Sequence, residues 1–194
     1  MRELDAQHAR SGLAPSTWVQ RWTPLAKPGG TVLDVACGHG RHMAWFASKG
    51  LHVTGIDRSE QALTQAAAYG HVINADIEGG DWPLVLEGET QRFDVVVVTN
   101  YLWRPLLPTI VRSVAAGGLL IYETFAHGNA AFGKPSNPHF LLQPGELLNG
   151  CQAMTILAYE HGYLAQPQRC VQRIASINNT DAGPDLDWQQ HSLE

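Results

Sequence analysis

The chain has 194 residues, of which 44% are hydrophobic, and its formal net charge is −5. This composition supports one hydrophobic core and excludes both a disordered chain and a large multidomain assembly. Thirteen Lys and Arg against 18 Asp and Glu leave no basic surplus, so we expect no nucleic-acid partner. The N-terminus is polar, no apolar stretch is long enough to cross a bilayer, and three scattered cysteines indicate reduced thiols. We therefore expect a cytoplasmic protein without membrane attachment.

Strand-like and helix-like segments alternate along the chain from about Pro24 onward, a pattern typical of a parallel sheet covered on both faces. The strands are predicted at residues 31–36, 52–57, 71–74, 93–98 and 119–124. Helices are predicted at 41–49, after the N-cap Ser59 up to Gly70, and from Pro105 to the glycine pair 117–118, with Val114 on the apolar stripe of the last. Residues 75–83 are predicted to be irregular.

Four consecutive valines, residues 95–98, have no polar face and indicate a strand at the centre of the sheet. Residues 125–144 lack periodicity and are typical of a functional loop, and residues 153–160 and 169–177 are predicted to form an antiparallel pair. The predicted fold is α/β, a doubly wound, Rossmann-like, mostly parallel sheet with a C-terminal antiparallel pair, in three layers. We expect one domain at residues 1–177 and a polar tail at 178–194.

The first strand runs into a glycine loop, Cys37-Gly38-His39-Gly40, and the second ends on Asp57. Glycines let a ligand touch the backbone, the following helix offers free N–H groups, and an aspartate can accept both hydrogens of a ribose diol. A nucleoside ligand is therefore predicted. A dinucleotide fingerprint needs a small residue where this chain has Met43, which disfavours a nicotinamide cofactor.

Residues 32–42, VLDVACGHGRH, resemble the first motif of class I S-adenosylmethionine-dependent methyltransferases. Residues 134–147, KPSNPHFLLQPGEL, are similar to a small bacterial group near the tellurite-resistance methyltransferases, and the resemblance spans roughly residues 15–177. Ala36 departs from the family, which usually has glycine there. The resemblance implies S-adenosyl-L-methionine as the cofactor, with binding residues Asp34, Ala36, Cys37, Gly38, Gly40, Asp57, Arg58, Asp76, Ile77, Thr99 and Asn100.

Methyl transfer is an in-line displacement, so alignment and exclusion of water suffice for a soft acceptor such as a thiol or a selenium or tellurium oxyanion. A harder acceptor needs a base, for which Tyr101, Glu123 and His139 are the catalytic candidates. Each of three residues has a structural alternative: Asp76 as the cap of a turn, His139 as part of a surface loop, and Glu123 as a partner of loop backbone. Cys37, His39 and His42 lie close in sequence, but one loop gives no fourth ligand, so no metal is expected.

The predicted function is methyl transfer from S-adenosylmethionine to a small molecule, since the chain has neither an Asn-Pro-Pro-Tyr element nor a Pro-Cys nucleophile for nucleic-acid bases. An alternative is a non-catalytic module that binds S-adenosylmethionine or S-adenosylhomocysteine. A third hypothesis is a nicotinamide-dependent oxidoreductase. Neither the acceptor nor the oligomeric state follows from the sequence.

Overall fold

The structure, a computed structural model, describes residues 14–179. The strands within this range are β1 (Thr31–Val35), β2 (His52–Asp57), β3 (His71–Asn74), β4 (Val85–Leu86), β5 (Glu89–Thr90), β6 (Phe93–Thr99), β7 (Val114–Phe125), β8 (Thr155–Ala165) and β9 (Gln168–Ile177). The α-helices are α1 (Thr17–Trp22), α2 (Arg41–Ser48), α3 (Glu60–Ala66), α4 (Leu107–Arg112) and α5 (Glu146–Gly150). Residues 180–194 of the predicted tail lie outside the described residues. Among residues 14–179, no helix is long and apolar enough to span a membrane.

Seven strands form one sheet in the order β3-β2-β1-β6-β7-β9-β8. Neighbouring strands in the run β3-β2-β1-β6-β7 pair in parallel, whereas β9 pairs antiparallel with both β7 and β8. The valine strand β6 is the fourth of the seven, as its lack of a polar face predicts. The predicted Rossmann-like, mostly parallel sheet with a C-terminal antiparallel pair is confirmed.

Successive side chains of the central strands enter two separate cores, one on each face of the sheet, because side chains alternate along a strand. Val95 and Val97 pack in the core that includes Trp18 of α1 and Phe46 of α2. Val96 and Val98 pack in the opposite core, which α4 and α5 cover. The three layers follow from this alternation, and they bury both faces of the parallel strands.

The prediction that the helix after Pro105 continues to the glycine pair is wrong. Helix α4 ends at Arg112, and Val114 begins strand β7 by pairing with Phe93. A Cβ on Gly118 would lie 2.9–3.1 Å from three carbonyl oxygens, so this glycine permits a close backbone approach inside a strand. Val114 is buried as expected, but it belongs to a strand of the sheet and not to the apolar stripe of a helix.

Three other segments differ in detail from the predictions. The irregular stretch after Asp76 is followed by a small separate hairpin, β4–β5, that the sequence did not reveal. Helix α3 ends at Ala66 instead of Gly70, and the antiparallel strands β8 and β9 are longer than predicted. The loop after β7 contains two short 3₁₀ turns, at Asn129–Ala131 and Pro138–Phe140.

Parallel strands bring the residues that follow them to one edge of the sheet. Ala36 follows β1, Asp57 ends β2 and Asn100 follows β6. Ligands of open α/β sheets bind beyond this carboxyl edge, where the strand order reverses. Here β1 lies between β2 and β6, so the reversal lies above the glycine loop.

Candidate active site

A cleft of about 540 Å³ opens at the carboxyl edge of β1, β2 and β3. We call it the nucleoside cleft, and its lining residues are Ala36, Asp57, Arg58, Ala75, Asp76, Ile77, Glu78 and Tyr101. Six of these were predicted from the sequence, five as cofactor-binding residues and Tyr101 as catalytic. The walls combine an apolar floor with carboxylates at the rim, which suits a flat base and a sugar.

Asp57 organises the glycine loop. Its Oδ2 accepts a hydrogen bond of 2.8 Å from the backbone N–H of Gly38, and its Oδ1 accepts one of 2.8 Å from the N–H of Ser59. Each carboxylate oxygen has a further lone pair, and the side chain is half-buried at the cleft. Asp57 can therefore accept hydrogen bonds from a diol while it holds the loop in place.

The two glycines of the loop differ in their surroundings. No atom lies within 4 Å of the position that a Cβ on Gly38 would take, so this glycine faces open space. A Cβ on Gly40 would lie 2.8 Å from the Cα of Ala66, so its missing side chain lets α2 pack closely on α3. Only Gly38 is placed to expose its backbone to a ligand. The helix contact of Gly40 has no signature in the sequence.

Two residues that directly follow strands of the seven-stranded sheet adopt left-handed backbone although they are not glycine. Ala36 has φ of +55° and Asn100 has φ of +55°. Asparagine tolerates this conformation, but alanine adopts it at a cost because its Cβ crowds the carbonyl. Ala36 therefore carries backbone strain at the point where the related family usually has glycine.

Asp34 is a fully buried acid beneath the loop, and its Oδ2 has no hydrogen-bond partner among the described residues. Burial raises the pKa of Asp34 to about 8; the positive charge of Arg41 opposes this and the negative charge of Asp57 adds to it. A cation placed at the loop would be stabilised by this carboxylate. Burial likewise raises the pKa of the Cys37 thiol far above its ordinary value, so Cys37 is no nucleophile at neutral pH.

Asp76 and Tyr101 lie on the far side of the nucleoside cleft. Asp76 Oδ1 accepts hydrogen bonds from the N–H groups of Glu78 and Gly79, so the residue does cap a turn while it lines the cleft. The hydroxyl of Tyr101 is buried and has no hydrogen-bond partner among residues 14–179. Its burial, and then the charges of Glu78 and Asp76, raise its pKa well above the ordinary value, so the phenol is suited to donate and not to act as a base.

His42 joins the start of α1 to the end of β6. Its Nε2 accepts a hydrogen bond of 3.1 Å from the N–H of Ser16, so the proton lies on Nδ1, which is 3.3 Å from Oγ1 of Thr99. Burial, with the charge of Arg41, lowers the pKa of His42 to about 3. The neutral imidazole therefore donates to Thr99 and leaves the threonine hydroxyl hydrogen free to point elsewhere.

Glu123 lies in a row of charged side chains that crosses three strands. It is buried on β7 opposite Arg173 of β9, which in turn lies opposite Glu160 of β8. Glu123 Oε1 is 3.0 Å from Arg169 Nη2, and its Oε2 is 3.3 Å from Arg173 Nη1. The hydroxyl of Ser16 donates to the same Oε1. Both oxygens of this predicted catalytic residue are therefore engaged by donors.

His139 does not line the nucleoside cleft. It is an exposed residue of a 3₁₀ turn, and its carbonyl accepts a hydrogen bond from Arg104. Its catalytic role stays a prediction, because the residue does not contact the cleft. Among residues 14–179, no group of three His, Cys, Asp or Glu side chains is arranged to hold a metal ion.

A second cavity, of about 650 Å³, adjoins the carboxyl edge on the side of β7 and β9. We call it the arginine cavity, and its lining residues are Arg41, Asn100, Phe125, Asn129, Phe132, Gly133, Lys134, Pro167, Gln168 and Arg169. The sequence predicted only Asn100 among these as a site residue. The one available signal was the spacing of Arg169 and Arg173, four residues apart in a predicted strand, which places both arginines on the same face.

Comparison with known proteins agrees with this geometry. Residues 32–118 match the family model described as a methyltransferase domain. The ubiquinone biosynthesis O-methyltransferase of Hahella chejuensis is 37% identical over 79 residues, which are 40% of this chain and 33% of that protein. The chain thus matches about a third of the length of this relative, and less than half of a second such enzyme.

Solved structures share the fold at low sequence identity. TehB from Haemophilus influenzae has a TM-score of 0.67 at 18% identity, over 85% of this chain and 63% of that one. A TehB-like S-adenosylmethionine-dependent methyltransferase from Corynebacterium glutamicum has a TM-score of 0.60 at 17% identity, over 91% and 97%.

Residues 32–118 thus resemble a methyltransferase domain, and the described residues share their fold with solved S-adenosylmethionine-dependent methyltransferases. The match of residues 32–118 confirms the resemblance to methyltransferases that residues 32–42 predict. The described residues also share the fold of TehB, to whose group residues 134–147 are similar. The Corynebacterium glutamicum protein depends on S-adenosyl-L-methionine as its cofactor.

The described residues fit this cofactor. Gly38 faces open space, Asp57 has spare acceptor capacity, and Asp34 Oδ2 and the Tyr101 hydroxyl are buried polar atoms without partners. An adenosyl group needs a diol acceptor and an apolar slot, and the methionine ammonium needs a nearby carboxylate. The nucleoside cleft and the loop above Asp34 provide these.

Proposed function

We propose that this protein transfers a methyl group from S-adenosylmethionine to a small molecule, and that the acceptor atom is a soft nucleophile, a thiol sulfur or the selenium or tellurium of an oxyanion. The observation that carries the proposal is the nucleoside cleft, in which Asp57 holds the N–H of Gly38 at 2.8 Å and keeps acceptor capacity for a diol. The match of residues 32–118 to a methyltransferase domain supports it.

The bound cofactor supplies an electrophilic methyl carbon on a sulfonium, which an acceptor attacks in line. The residues of this chain align the reactants and exclude water. Asp57 and Tyr101 would hold the nucleoside, the backbone of Gly38 faces the ligand, and the carboxyl of Asp34 lies beneath the loop. Asn100, which lines the arginine cavity beside Tyr101, would border the reacting centre. Alignment alone can contribute several orders of magnitude to such a displacement.

The surroundings of the three candidate bases favour a soft acceptor. Glu123 is engaged by two arginines and a serine, the pKa of Tyr101 is raised, and His139 contacts no cavity described above. A thiolate or a chalcogen lone pair attacks without losing a proton in the same step, so it needs no base. The catalytic roles of Tyr101, Glu123 and His139 remain predictions.

Calorimetric titration with S-adenosylmethionine and S-adenosylhomocysteine tests the cofactor site. Asp57→Asn keeps the size of the side chain but loses its charge, and we expect affinity to fall about tenfold because a charge-assisted hydrogen bond to the diol is weakened. Glu89→Gln, on the exposed hairpin β4–β5, is the control and should leave affinity unchanged. Equal affinity of wild type and Asp57→Asn would remove Asp57 from the site.

Transfer is tested separately from binding. Cofactor labelled in its methyl group is incubated with the protein and with thiols, selenite and tellurite, and methylated products are counted. Label in any of these products supports the enzyme. Tight binding of both cofactor forms without transfer to any acceptor would favour the alternative, a non-catalytic module that senses the cofactor.

A cytoplasmic location, a single domain at residues 1–177 and the exclusion of nucleic acid remain predictions from the sequence.

A further inference from the structure

The arginine cavity carries an unbalanced positive charge next to the nucleoside cleft. Arg41, Lys134 and Arg169 line it, and no Asp or Glu is among its lining residues. Asn100 lines this cavity and the adjacent Tyr101 lines the nucleoside cleft, so the two spaces meet at the end of β6. A molecule in the arginine cavity therefore lies beside the cofactor site.

The charges around the cavity are not neutralised within the described residues. Glu123 and Glu160 are shared by Arg21, Arg169 and Arg173, and Arg41 forms no ion pair among residues 14–179. The nearest recorded partner of the Arg41 guanidinium is the Thr99 hydroxyl, 3.4 Å away. Four guanidinium groups thus face two carboxylates.

Asp34 does not supply the missing charge. Its pKa of about 8 leaves it largely protonated at neutral pH, because burial outweighs the attraction of Arg41. Burial also lowers the pKa of Arg41, which reflects the poor solvation of its positive charge in the free protein. An anion in the cavity would relieve that cost.

Arg169 has hydrogen-bonding capacity to spare. Its Nη2 donates to Glu123, its Nη1 lies 3.4 Å from Oδ1 of Asn100, and its Nε is buried with no partner in the described part of the chain. A buried N–H of a charged group without an acceptor is costly, so this atom indicates a missing acceptor. The amide nitrogen of Asn100 is a further donor on the same wall.

The other walls of the cavity are apolar. Phe125 and Phe132 line it with Pro167, and the ring of Phe132 packs on Tyr163 at a centroid distance of 4.8 Å. Phe132 and Tyr163 are both about half exposed, which leaves their faces available to a ligand. A bare inorganic oxyanion would have no contact with these rings, whereas an organic body would bury them.

We infer that the arginine cavity binds the carboxylate of an organic acceptor between Arg41 and Arg169, with the carbon skeleton against Phe125 and Phe132. This inference rests on the proposed methyl transfer and narrows its acceptor to a small organic acid. A thiol that also bears a carboxylate satisfies both proposals. The carboxylate fixes the orientation of the acceptor in the cavity, and the acceptor atom that receives the methyl group then lies on the side of Asn100.

The test uses the full chain saturated with S-adenosylhomocysteine, with benzoate and its neutral analogue benzamide as probes. NMR of the arginine Nε–H groups and calorimetry follow binding. We expect benzoate to shift the Arg41 and Arg169 signals and to bind at least about tenfold more tightly than benzamide, because a charge-assisted pair contributes that much. Phenylacetate and 4-mercaptobenzoate extend the series, and the latter is also assayed for methyl transfer.

Matched variants assign the effect to the cavity. Arg41→Met and Arg169→Met should each weaken benzoate binding about tenfold. Arg112→Met removes a surface arginine that contacts only Thr109 in its own helix turn, and it should leave binding unchanged. Arg169 also holds Glu123, so if Arg169→Met fails to fold, Arg41→Met and Arg169→Lys decide the test.

Four results would overturn the inference. Equal binding of benzoate and benzamide would remove the role of charge, and no binding by any of the three acids would remove the site. Tight binding of selenite without binding of benzoate would assign the cavity to an inorganic oxyanion. Loss of benzoate binding when S-adenosylhomocysteine is added would assign the arginines to the cofactor's own carboxylate. If the proposed function is wrong instead, the cofactor fails to bind while benzoate still shifts the arginine signals.

Discussion

The two cavities at the carboxyl edge of the sheet are built in different ways. The nucleoside cleft is formed by residues 36–78 and Tyr101, and backbone N–H groups and carboxylates organise it. The arginine cavity joins residues from four distant segments of the chain, and an ion pair to Glu123 across antiparallel strands holds one of its cations, Arg169. One cavity is local in sequence and acidic, whereas the other is long-range and cationic.

The two cavities differ in the ligand proposed for each, the cofactor for the nucleoside cleft and the acceptor for the arginine cavity. The proposed cofactor would be held by a loop and two strand ends, which leave short patterns in the sequence. The proposed acceptor would be recognised by side chains that only the completed sheet brings together. We therefore expect substitutions in the two regions to affect different measurements.

The largest expected effect lies in the cationic region. Glu123→Gln removes the buried carboxylate that Arg169 and Arg173 share, and it should lower the free energy of unfolding by about 3 kcal/mol, since two poorly exposed guanidinium groups lose their partner. Chemical denaturation measures this. Glu146→Gln breaks the more exposed pair with Arg104 and should cost about 1 kcal/mol or less. Similar losses in both variants would contradict the burial argument.

The next effect belongs to the nucleoside cleft and concerns a proton. With a pKa of about 8, Asp34 is mostly protonated at pH 7, and the ammonium of a bound S-adenosylhomocysteine should lower that pKa. Binding at pH 7 should then release up to one proton in wild type and none in Asp34→Asn. Calorimetry in two buffers of different ionisation enthalpy counts the protons, and equal release in both proteins would exclude Asp34 as the source.

The same carboxyl makes the stability of the free protein depend on pH. Its pKa is higher in the folded than in the unfolded chain, so the folded state binds more protons between about pH 4 and pH 8. The contribution of Asp34 to the free energy of unfolding therefore decreases as the pH rises through this range. Asp34→Asn should show a flatter pH profile there.

The smallest effect is at the strained end of β1. Ala36→Gly should raise the free energy of unfolding by about 0.5 kcal/mol, because relief of the left-handed strain slightly exceeds the extra freedom that glycine gives the unfolded chain. Ala47→Gly in helix α2, where φ is not left-handed, should instead lower it by about 1 kcal/mol. A decrease for both variants would show that Ala36 is not strained.

Most of the fold could be predicted because its signals are local. Strands β2 and β3 have the predicted bounds, and Ser59 caps α3 by accepting from the N–H of Ala62. The prediction failed at Val114. Its spacing fits an apolar helical stripe, but the residue pairs with Phe93 as part of β7, and Gly118 in the same strand permits close contact with neighbouring carbonyl groups. Helix propensity there is weaker than the pairing that the sheet offers.

By itself, the sequence determined the parallel sheet, the glycine loop and the carboxylates of Asp34 and Asp57, because alternation, turn residues and strand ends are read within a few positions. Only the tertiary structure decided that Gly40 packs on Ala66, that Glu123 is held by Arg169 and Arg173, and that Arg41 meets Arg169 at one cavity. The physical reason is distance along the chain. Burial and charge pairing depend on strand order and register, and these are fixed by the packing of the whole sheet.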